Sequence, residues 1–178
     1  MDASTMTAQT SNLSMVNSMQ SMNASLKSLL AQMQSANFIT QASSIGHSPL
    51  VSGNTIAYDG QSSVVALGAS VANPLTAATA LVSDEKGNQI TNIKLGALNA
   101  GMKNFVWNGR DANGNQMPAG NYRVSISGTT STGGNENPTA YVAAPVMTVS
   151  KATNGSDVML NLLDGRSINP NDVIQWVS

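Results

Sequence analysis

The most informative run of residues is Phe105-Val106-Trp107-Asn108-Gly109-Arg110-Asp111-Ala112-Asn113-Gly114-Asn115-Gln116-Met117-Pro118-Ala119-Gly120-Asn121-Tyr122-Arg123-Val124. Large apolar side chains alternate at both ends, with Phe105 and Trp107 before the turn and Tyr122 and Val124 after it. A period of two places such side chains on one face of a β-strand. The Asn-Gly pairs between them provide the positive φ that a tight turn requires. The run therefore predicts two strands of a β-sandwich and contains no evident reacting group.

The composition is that of a folded protein with few charges. Of the 178 residues, 41% are apolar and 10% are charged, against about 25% charged residues in an average soluble domain. The net charge of −1 gives no basic patch for nucleic acid. The absence of cysteine excludes disulfides, thiolate catalysis and zinc–thiolate sites. No apolar stretch approaches the roughly 20 residues that span a bilayer, and no signal peptide is visible. We therefore expect no membrane insertion, and export would require a specialised route.

The N-terminal part of the chain has the pattern of a long helix. Neither Pro nor Gly occurs between Thr10 and Gln41, and the one charge in this stretch is Lys27. Apolar side chains recur at alternating spacings of four and three residues, which is a heptad seam. The residues of this seam, our candidate interface, are Met15, Met19, Met22, Leu26, Leu29 and Met33.

Two kinds of partner could cover this apolar stripe, namely the β-domain of the same chain or a second chain. No second amphipathic helix follows in the sequence to complete a hairpin or a bundle, so packing between molecules is favoured. Methionine at four of the six positions predicts a soft, adaptable surface.

From Leu50 onward, short strands alternate with turns rich in Gly and Asn, a pattern typical of a sandwich or of small barrels. The predicted strands are Leu50–Ile56, Ser63–Ala69, Ala77–Ser83, Gln89–Leu95, Lys103–Asn108, Gly120–Ser127, Ala140–Val149, Val158–Leu162 and Ile168–Trp176. Small residues over 129–137 predict a mobile linker. The last strands are too few for an independent sheet, so they are expected to pair with the strand near Leu50.

Gly101, Trp107, Asn108-Gly109, Asp111, Asn113-Gly114, Pro118-Ala119-Gly120 and Tyr122 together resemble the signature segment of the flagellar hook-capping proteins, also called basal-body rod modification proteins. Ile45-Gly46, Asp164-Gly165 and the closing residues 173–177 resemble further parts of that family. The resemblance implies a mainly β fold with an N-terminal α-helix, in which a fibronectin-III-like β-sandwich is inserted in a Tudor-like β-barrel. It assigns residues 1–44 to the assembly helix, 45–61 and 138–178 to the barrel, 62–128 to the sandwich and 129–137 to the linker.

The same resemblance implies a function without catalysis or cofactor. It predicts a scaffold that caps the distal end of the growing flagellar hook and is required for polymerisation of hook protein. The implied partners are hook protein and further copies of the chain, in a pentamer. The implied location is extracellular, at the tip of the hook, after export without a cleavable signal peptide. Family members usually carry several tens of residues before the point that matches Met1, and the export and anchoring functions belong to that region.

Two other functions stay open from the sequence. A carbohydrate- or surface-binding sandwich module would need an exposed aromatic platform, whereas an accessory domain of a hydrolase would normally accompany a catalytic domain. The alternation of the strand that carries Trp107 predicts a core position for it. Trp176 is undecided between a cap on the barrel and an exposed interface residue. An aromatic cage for a cation would have only Tyr58, Tyr141 and Trp176 and is not expected.

One run has the opening of a calcium loop, Asp111-x-Asn113-x-Asn115. The sixth position is Gln116 rather than Gly and the twelfth is Tyr122 rather than Glu, so a turn held by Asx side chains is predicted instead. The single histidine, His47, cannot form a two-histidine metal site and is expected to be a solvated linker residue.

Overall fold

The computed structural model describes residues 3–62, 64–152 and 157–177. The elements in chain order are α1 (Ala3–Ala42), β1 (Ser48–Ser52), β2 (Thr55–Tyr58), β3 (Val65–Val71), β4 (Leu75–Asp84), β5 (Gln89–Leu98), β6 (Gly101–Trp107), β7 (Gly120–Thr130), β8 (Asn135–Glu136), β9 (Thr139–Ala143), β10 (Val146–Lys151), β11 (Val158–Leu162), β12 (Ser167–Ile168), a 3₁₀ turn (Pro170–Asp172) and β13 (Gln175–Val177). The predicted class, mainly β with one N-terminal helix, is confirmed.

The aromatic residues of the signature run form the centre of a β-sandwich. The ring of Trp107 lies 5.1 Å from that of Tyr58 and 5.0 Å from that of Tyr122, in tilted packing. The Trp107 Nε1–H donates a hydrogen bond of 3.0 Å to the carbonyl of Arg110, and the Tyr122 hydroxyl donates one of 2.8 Å to the carbonyl of Pro118. The polar atoms of both buried rings are thus satisfied within the run itself, as burial of such rings requires. The predicted core position of Trp107, which is 1% exposed, is confirmed.

All strand pairs are antiparallel and form three sheets. A five-stranded sheet has the order β13-β1-β9-β3-β6, and a second sheet has the order β2-β7-β4-β5 with β8 paired to β7. These two sheets face each other across the larger hydrophobic core. The third sheet, β10-β11-β12, has a smaller core of its own that includes Val51 of β1, Leu160 and Leu162. Strand β1 therefore joins the sandwich to the C-terminal sheet.

The five-stranded sheet curls into a half-barrel. The side-chain amide of Asn104 on the β6 edge donates a hydrogen bond of 3.0 Å to Gln175 on the opposite β13 edge. Leu50 is buried on the inner face of this curl, and a Cβ on Gly68 would lie 3.1 Å from the Leu50 side chain and 3.3 Å from Met102 Sδ. The lack of a side chain at Gly68 is what lets Leu50 and Met102 approach, so that the sheet can close this far.

An ion pair holds the C-terminal sheet against the turn between β1 and β2. Arg166 Nη1 donates a hydrogen bond of 2.7 Å to the carbonyl of Ser52, while Arg166 Nε and Nη2 lie 2.7 and 2.6 Å from Asp164 Oδ2. The Asp164 side chain is only 1% exposed, so it depends on this arginine for its charge partner.

Several predicted elements are broken into shorter ones. Residues 50–56 and 140–149 each form two strands, separated at Gly53 and at Ala144-Pro145, and the 3₁₀ turn interrupts the last predicted strand. The predicted mobile linker over 129–137 is wrong in its local structure, because β7 continues to Thr130 and Asn135–Glu136 pairs with it. The Glu136 carboxylate also accepts hydrogen bonds from the backbone N–H groups of Ala72 and Asn73, which fixes the segment to the β3–β4 turn. Ser63, the turn at Asn154-Gly155 and Ser178 lie outside the described residues.

Strand pairing crosses the predicted boundaries between barrel and sandwich. Strand β2, from the predicted barrel segment 45–61, pairs with β7 and contributes Ile56 and Tyr58 to the larger core. Strand β9, from the predicted barrel segment 138–178, pairs with β3 of the predicted sandwich. The sandwich thus draws two strands from outside residues 62–128, since Ile56, Tyr58 and Val142 supply apolar faces that complete its core. The division into two units stays a prediction.

Gly109 and Gly114 offer a matched test of the signature run. Both have left-handed φ angles, +68° and +88°. A Cβ on Gly109 would lie 2.5 Å from Tyr58 Cζ, whereas one on Gly114 would meet nothing within 4 Å. We expect G114A to lose about 1–2 kcal/mol of unfolding free energy from backbone strain. G109A should lose about 1–3 kcal/mol more, from overpacking against the tyrosine. Urea unfolding followed by Trp107 fluorescence measures both, and equal losses would contradict the role assigned to Gly109.

Candidate functional site

The candidate site is the surface of α1, which projects from the sheets. At 1.5 Å per residue, the 40-residue helix is about 60 Å long. Every residue from Gln9 to Met33 is exposed, and the half-buried residues of the helix are Gln34, Phe38, Gln41 and Ala42. The contacts of α1 with the sheets are made chiefly to β10 and β11. The helix is therefore attached by its C-terminal end, and a stretch of about 37 Å stands free.

The attachment of α1 combines a ring contact with backbone hydrogen bonds. The Lys151 ammonium lies 6.0 Å from the centre of the Phe38 ring, at the outer limit of a cation–π contact. Just after the helix, the N–H of Gly46 donates to the carbonyl of Val146, and the N–H of Val146 donates to the carbonyl of His47. These bonds join the end of the helix to β10. The sequence pattern did not single out Phe38 or Lys151, because neither belongs to the heptad seam.

The six predicted interface residues form one continuous ridge on α1, which we call the α1 ridge. All six side chains, Met15, Met19, Met22, Leu26, Leu29 and Met33, are between 51% and 63% exposed. At about 100° per residue they fall within an arc of about 80°. The half-buried attachment residues centre about 120° away from that arc. The α1 ridge therefore faces away from the sheets, and no described part of the chain covers it.

The flanks of the α1 ridge carry no charge. On one side, Val16 and Leu30 extend the apolar surface and are 48% and 58% exposed. On the other side, the hydroxyls of Ser18 and Ser25 donate to the carbonyls of Ser14 and Ser21, each four residues earlier in the helix. Charged residues beside a heptad seam usually select the partner and its direction. Recognition by this surface must rest on apolar packing and shape instead.

Few side-chain interactions within α1 stabilise its free part. Its first turn contains no acidic side chain and its last turn no basic one, so the helix dipole gains nothing from side chains there. Ser and Thr hydroxyls bonded to the preceding turn, as also at Ser35 and Thr40, contribute nothing further to the ladder. Most helical stability in proteins comes from packing of an apolar face, which here remains available to a partner.

The aromatic residues considered for ligand binding are dispersed. Tyr58 lies in the sandwich core and Trp107 beside it. Trp176 is 44% exposed at the edge strand β13, where its ring lies 6.5 Å from the ring of His47, edge to face. Trp176 is thus exposed rather than a buried cap, and His47 is exposed as expected. No cage around a cation is formed among the described residues.

The calcium-like run is a turn held by its own side chains. Asp111 Oδ1 accepts hydrogen bonds of 2.8 Å from the backbone N–H groups of Asn113 and Asn115, and Asp111 Oδ2 accepts one of 3.0 Å from the Asn115 amide. Asp84 makes the equivalent set with Lys86 and Asn88. The predicted Asx turn is confirmed. Both carboxylates accept hydrogen bonds from protein donors. The described residues contain no group of three or more possible metal ligands.

These hydrogen bonds make the turns sensitive to acid. The side-chain amide of Asn115 and the backbone N–H groups of Asn115 and Asn113 hold the pKa of Asp111 below its usual value, and Asn88 chiefly lowers the pKa of Asp84. A carboxyl with a lowered pKa in the folded state stabilises the fold above its unfolded pKa. That contribution is lost as the pH falls through the folded pKa.

We therefore expect D84N/D111N to melt below the unmodified protein at pH 7, because both turns lose ionic acceptors. The gap in Tm should narrow as the pH falls below about 4, because the aspartates of the unfolded chain are protonated first and those of the folded chain at a lower pH. Circular dichroism melts between pH 7 and pH 2.5 measure this, and a gap that stays constant over that range would contradict it.

Comparison with known proteins places this architecture in a family. A family model for the FlgD Ig-like domain matches residues 53–132. The basal-body rod modification protein FlgD of Salmonella typhimurium is 31% identical over 170 residues, which cover 89% of this chain and 68% of that protein. The FlgD of Escherichia coli is 28% identical over 152 residues, which cover 82% of this chain and 63% of that protein.

Solved structures agree with the sequence matches. The crystal structure of FlgD from Xanthomonas campestris matches with a TM-score of 0.67 and 26% identity, covering 79% of this chain and 99% of that one. The structure of FlgD from P. aeruginosa matches with a TM-score of 0.63 and 26% identity, covering 73% of this chain and 95% of that one. The fold is therefore that of an immunoglobulin-like β-sandwich of the kind found in flagellar assembly proteins. With this identity and coverage, the chain belongs to the FlgD family of basal-body rod modification proteins, also called hook-capping proteins.

The independence of the free part of α1 can be tested by truncation. A chain that begins at Gln34 should lose less than about 0.5 kcal/mol of unfolding free energy, because every residue over 9–33 is exposed. A chain that begins at Ser43 also loses the Phe38 contact and should be less stable by about 1 kcal/mol. Urea unfolding of the β-domain measures both, and a large loss from the shorter truncation would show that the sheets depend on the ridge segment.

Proposed function

We propose that this protein is a non-enzymatic scaffold that caps the distal end of the growing flagellar hook and is required for polymerisation of hook protein. Its relatives are named for modification of the basal-body rod, and the Xanthomonas campestris structure is described in terms of hook capping essential for flagellar assembly. The single observation that carries the proposal is the α1 ridge, six apolar side chains that no described part of the chain covers.

In this proposal the α1 ridge joins copies of the chain and contacts hook subunits. Each ridge side chain still exposes about half of its surface, so its burial would contribute about 1 kcal/mol. Association itself costs at least about 4 kcal/mol in lost freedom of motion. The twelve ridge side chains of one pair of helices would gain about 12 kcal/mol, against an association cost of about 4–15 kcal/mol, so the net affinity of one pair is modest and several ridges acting together would strengthen the assembly. A modest net free energy of association also suits a cap that releases and rebinds as each subunit is added.

The sheets serve as a rigid plate in the proposed assembly. Their two cores contain nearly all the buried apolar residues of the described chain, and they hold the base of α1 through β10 and β11. We further propose a homo-oligomer, in the form of a pentamer, located outside the cell at the hook tip after export without a cleavable signal peptide. In the part of the chain that the structure describes, no helix combines the length and apolar character that crossing a membrane demands.

The geometry does not favour a carbohydrate-binding module. Such a module requires exposed aromatic rings that stack on sugars. One of the two tryptophans is fully buried, and the other is partly exposed with its ring against His47 rather than beside a second aromatic platform.

The proposal is tested by placing charge on the α1 ridge. M19K/L26K puts two ammonium groups at ridge positions seven residues apart, where they would be desolvated in any interface between helices. We expect at least a tenfold loss of self-association by sedimentation velocity, and a similar loss of binding to purified hook protein from the same bacterium. Motility restored to a strain that lacks its own cap protein should fall in parallel.

N17K/A24K is the matched control, with the same charge and spacing on the opposite side of the helix. It should associate, bind hook protein and restore motility like the unmodified chain. Equal behaviour of the two variants, or an unmodified protein that stays monomeric at about 100 μM with and without hook protein, would reject the α1 ridge as the assembly surface.

A further inference from the structure

Four of the six residues of the α1 ridge carry a thioether sulfur in open solvent. Met15, Met19, Met22 and Met33 are each more than half exposed. The sequence contains no cysteine, so methionine is its most easily oxidised side chain. Among the residues whose burial the structure describes, four of the five exposed methionines therefore lie on the face proposed to hold copies together.

We infer that the α1 ridge is a methionine oxidation site whose modification releases the assembly. This inference rests on the proposed function, because it requires that the ridge joins copies of the chain. The reactant is a hydroperoxide, either hydrogen peroxide or an organic peroxide. It acts on free subunits or on subunits between binding events, while the ridge is exposed.

The chemical step is a two-electron oxygen transfer. A lone pair of the methionine sulfur attacks one peroxide oxygen, the O–O bond breaks and an S–O bond forms. The sulfur is oxidised to the sulfoxide. The departing oxygen takes up the proton that the transferred oxygen carried, so hydrogen peroxide is reduced to water and an organic hydroperoxide is reduced to the alcohol. Methionine sulfoxide reductases, acting with a thiol reductant, return the sulfoxide to methionine and release its oxygen as water, so the modification of free subunits is a reversible switch.

Oxidation should weaken the interface because the ridge side chains themselves offer no donor for the new oxygen. A sulfoxide is a strong hydrogen-bond acceptor, and burial of an unpaired acceptor is costly. The nearest hydroxyls on one flank, Ser18 and Ser25, already donate to backbone carbonyls of the preceding turn. The other flank presents Val16 and Leu30, which have no polar hydrogen, with the amide of Asn23 between them. Within a helix pair of this composition, burial of several sulfoxide oxygens would replace apolar contacts by polar groups that must compete for the few side-chain amides beside the ridge.

The β-domain should survive the same treatment. The fully buried residues of both cores in the described chain include no methionine, and Met102, Met117 and Met159 are half-buried, which shields them in part from the oxidant. Met147 on β10 is 53% exposed, as accessible as the ridge methionines, but it lies away from the ridge. It therefore serves as an internal marker that the oxidant has reached the protein without touching the proposed interface.

The experiment compares three full-length chains before and after hydrogen peroxide. They are the unmodified protein, M15L/M19L/M22L/M33L and M147L. Peptide mass spectrometry measures the sulfoxide at each methionine, sedimentation velocity measures self-association, and circular dichroism melts report the β-domain. We expect oxidation to weaken self-association at least tenfold in the unmodified chain and in M147L, with an unchanged melt. The ridge variant should keep its association even though its Met147 is oxidised, and sulfoxide reductase should restore association of the unmodified chain.

The outcomes separate this inference from the function on which it rests. Oxidised protein that associates as well as untreated protein would overturn the switch and leave the scaffold proposal standing. Equal peroxide sensitivity in the ridge variant would also overturn it, since the effect would then arise elsewhere in the chain. Untreated protein that stays monomeric, with and without hook protein, would reject the scaffold proposal and the switch together.

Discussion

The packing of Tyr58, Trp107 and Tyr122 is the contact on which the rest of the structure depends. These rings come from β2, β6 and β7, so they join the two facing sheets at one point. The hydroxyl of Tyr122 and the indole N–H of Trp107 are satisfied by carbonyls of the same connecting segment, which fixes the segment's path as well as the rings. Because β2 follows β1 by only two residues, the same cluster also positions the strand that carries the C-terminal sheet.

In this arrangement the sheets are joined to one another, whereas most of α1 packs against nothing. The sandwich and the C-terminal sheet share β1, and the Arg166–Asp164 pair holds their junction at Ser52. The helix, by contrast, gains nothing from the cores beyond its last turns. The buried cores that stabilise the fold therefore lie in the sheets, whereas the uncovered apolar ridge lies on α1. Changes to one part are expected to leave the other largely intact.

The sequence is most reliable here where the physical signal is local. The heptad spacing, the alternation around Trp107 and the Asx pattern at Asp111 each involve residues within a few positions of one another, and the helix, the core position of Trp107 and the Asx turn are confirmed. The pairing of β2 with β7 joins residues more than sixty positions apart, and no local pattern specifies it. The linker prediction failed for a related reason. Small polar residues such as Thr129 and Asn135 are typical of a flexible segment. In the structure these two residues pair, and the amide of Asn73 in the β3–β4 turn donates a hydrogen bond to the carboxylate of Glu136. The spacing of apolar residues alone identifies the α1 ridge. It does not show whether the chain's own sheets cover the ridge, because that depends on where Phe38 packs against them.

Because α1 is attached near its C-terminal end, a small tilt at that end moves the other end by a large distance. Its fixed point lies near Phe38 and the bonds between Gly46 and Val146, while its far end lies roughly 46 Å beyond Gln34. A tilt of about 10° at that base would move the tip by about 8 Å, more than the rise of one helical turn. Small rearrangements of a few side chains at the base would thus displace the far end of the helix by more than one helical turn.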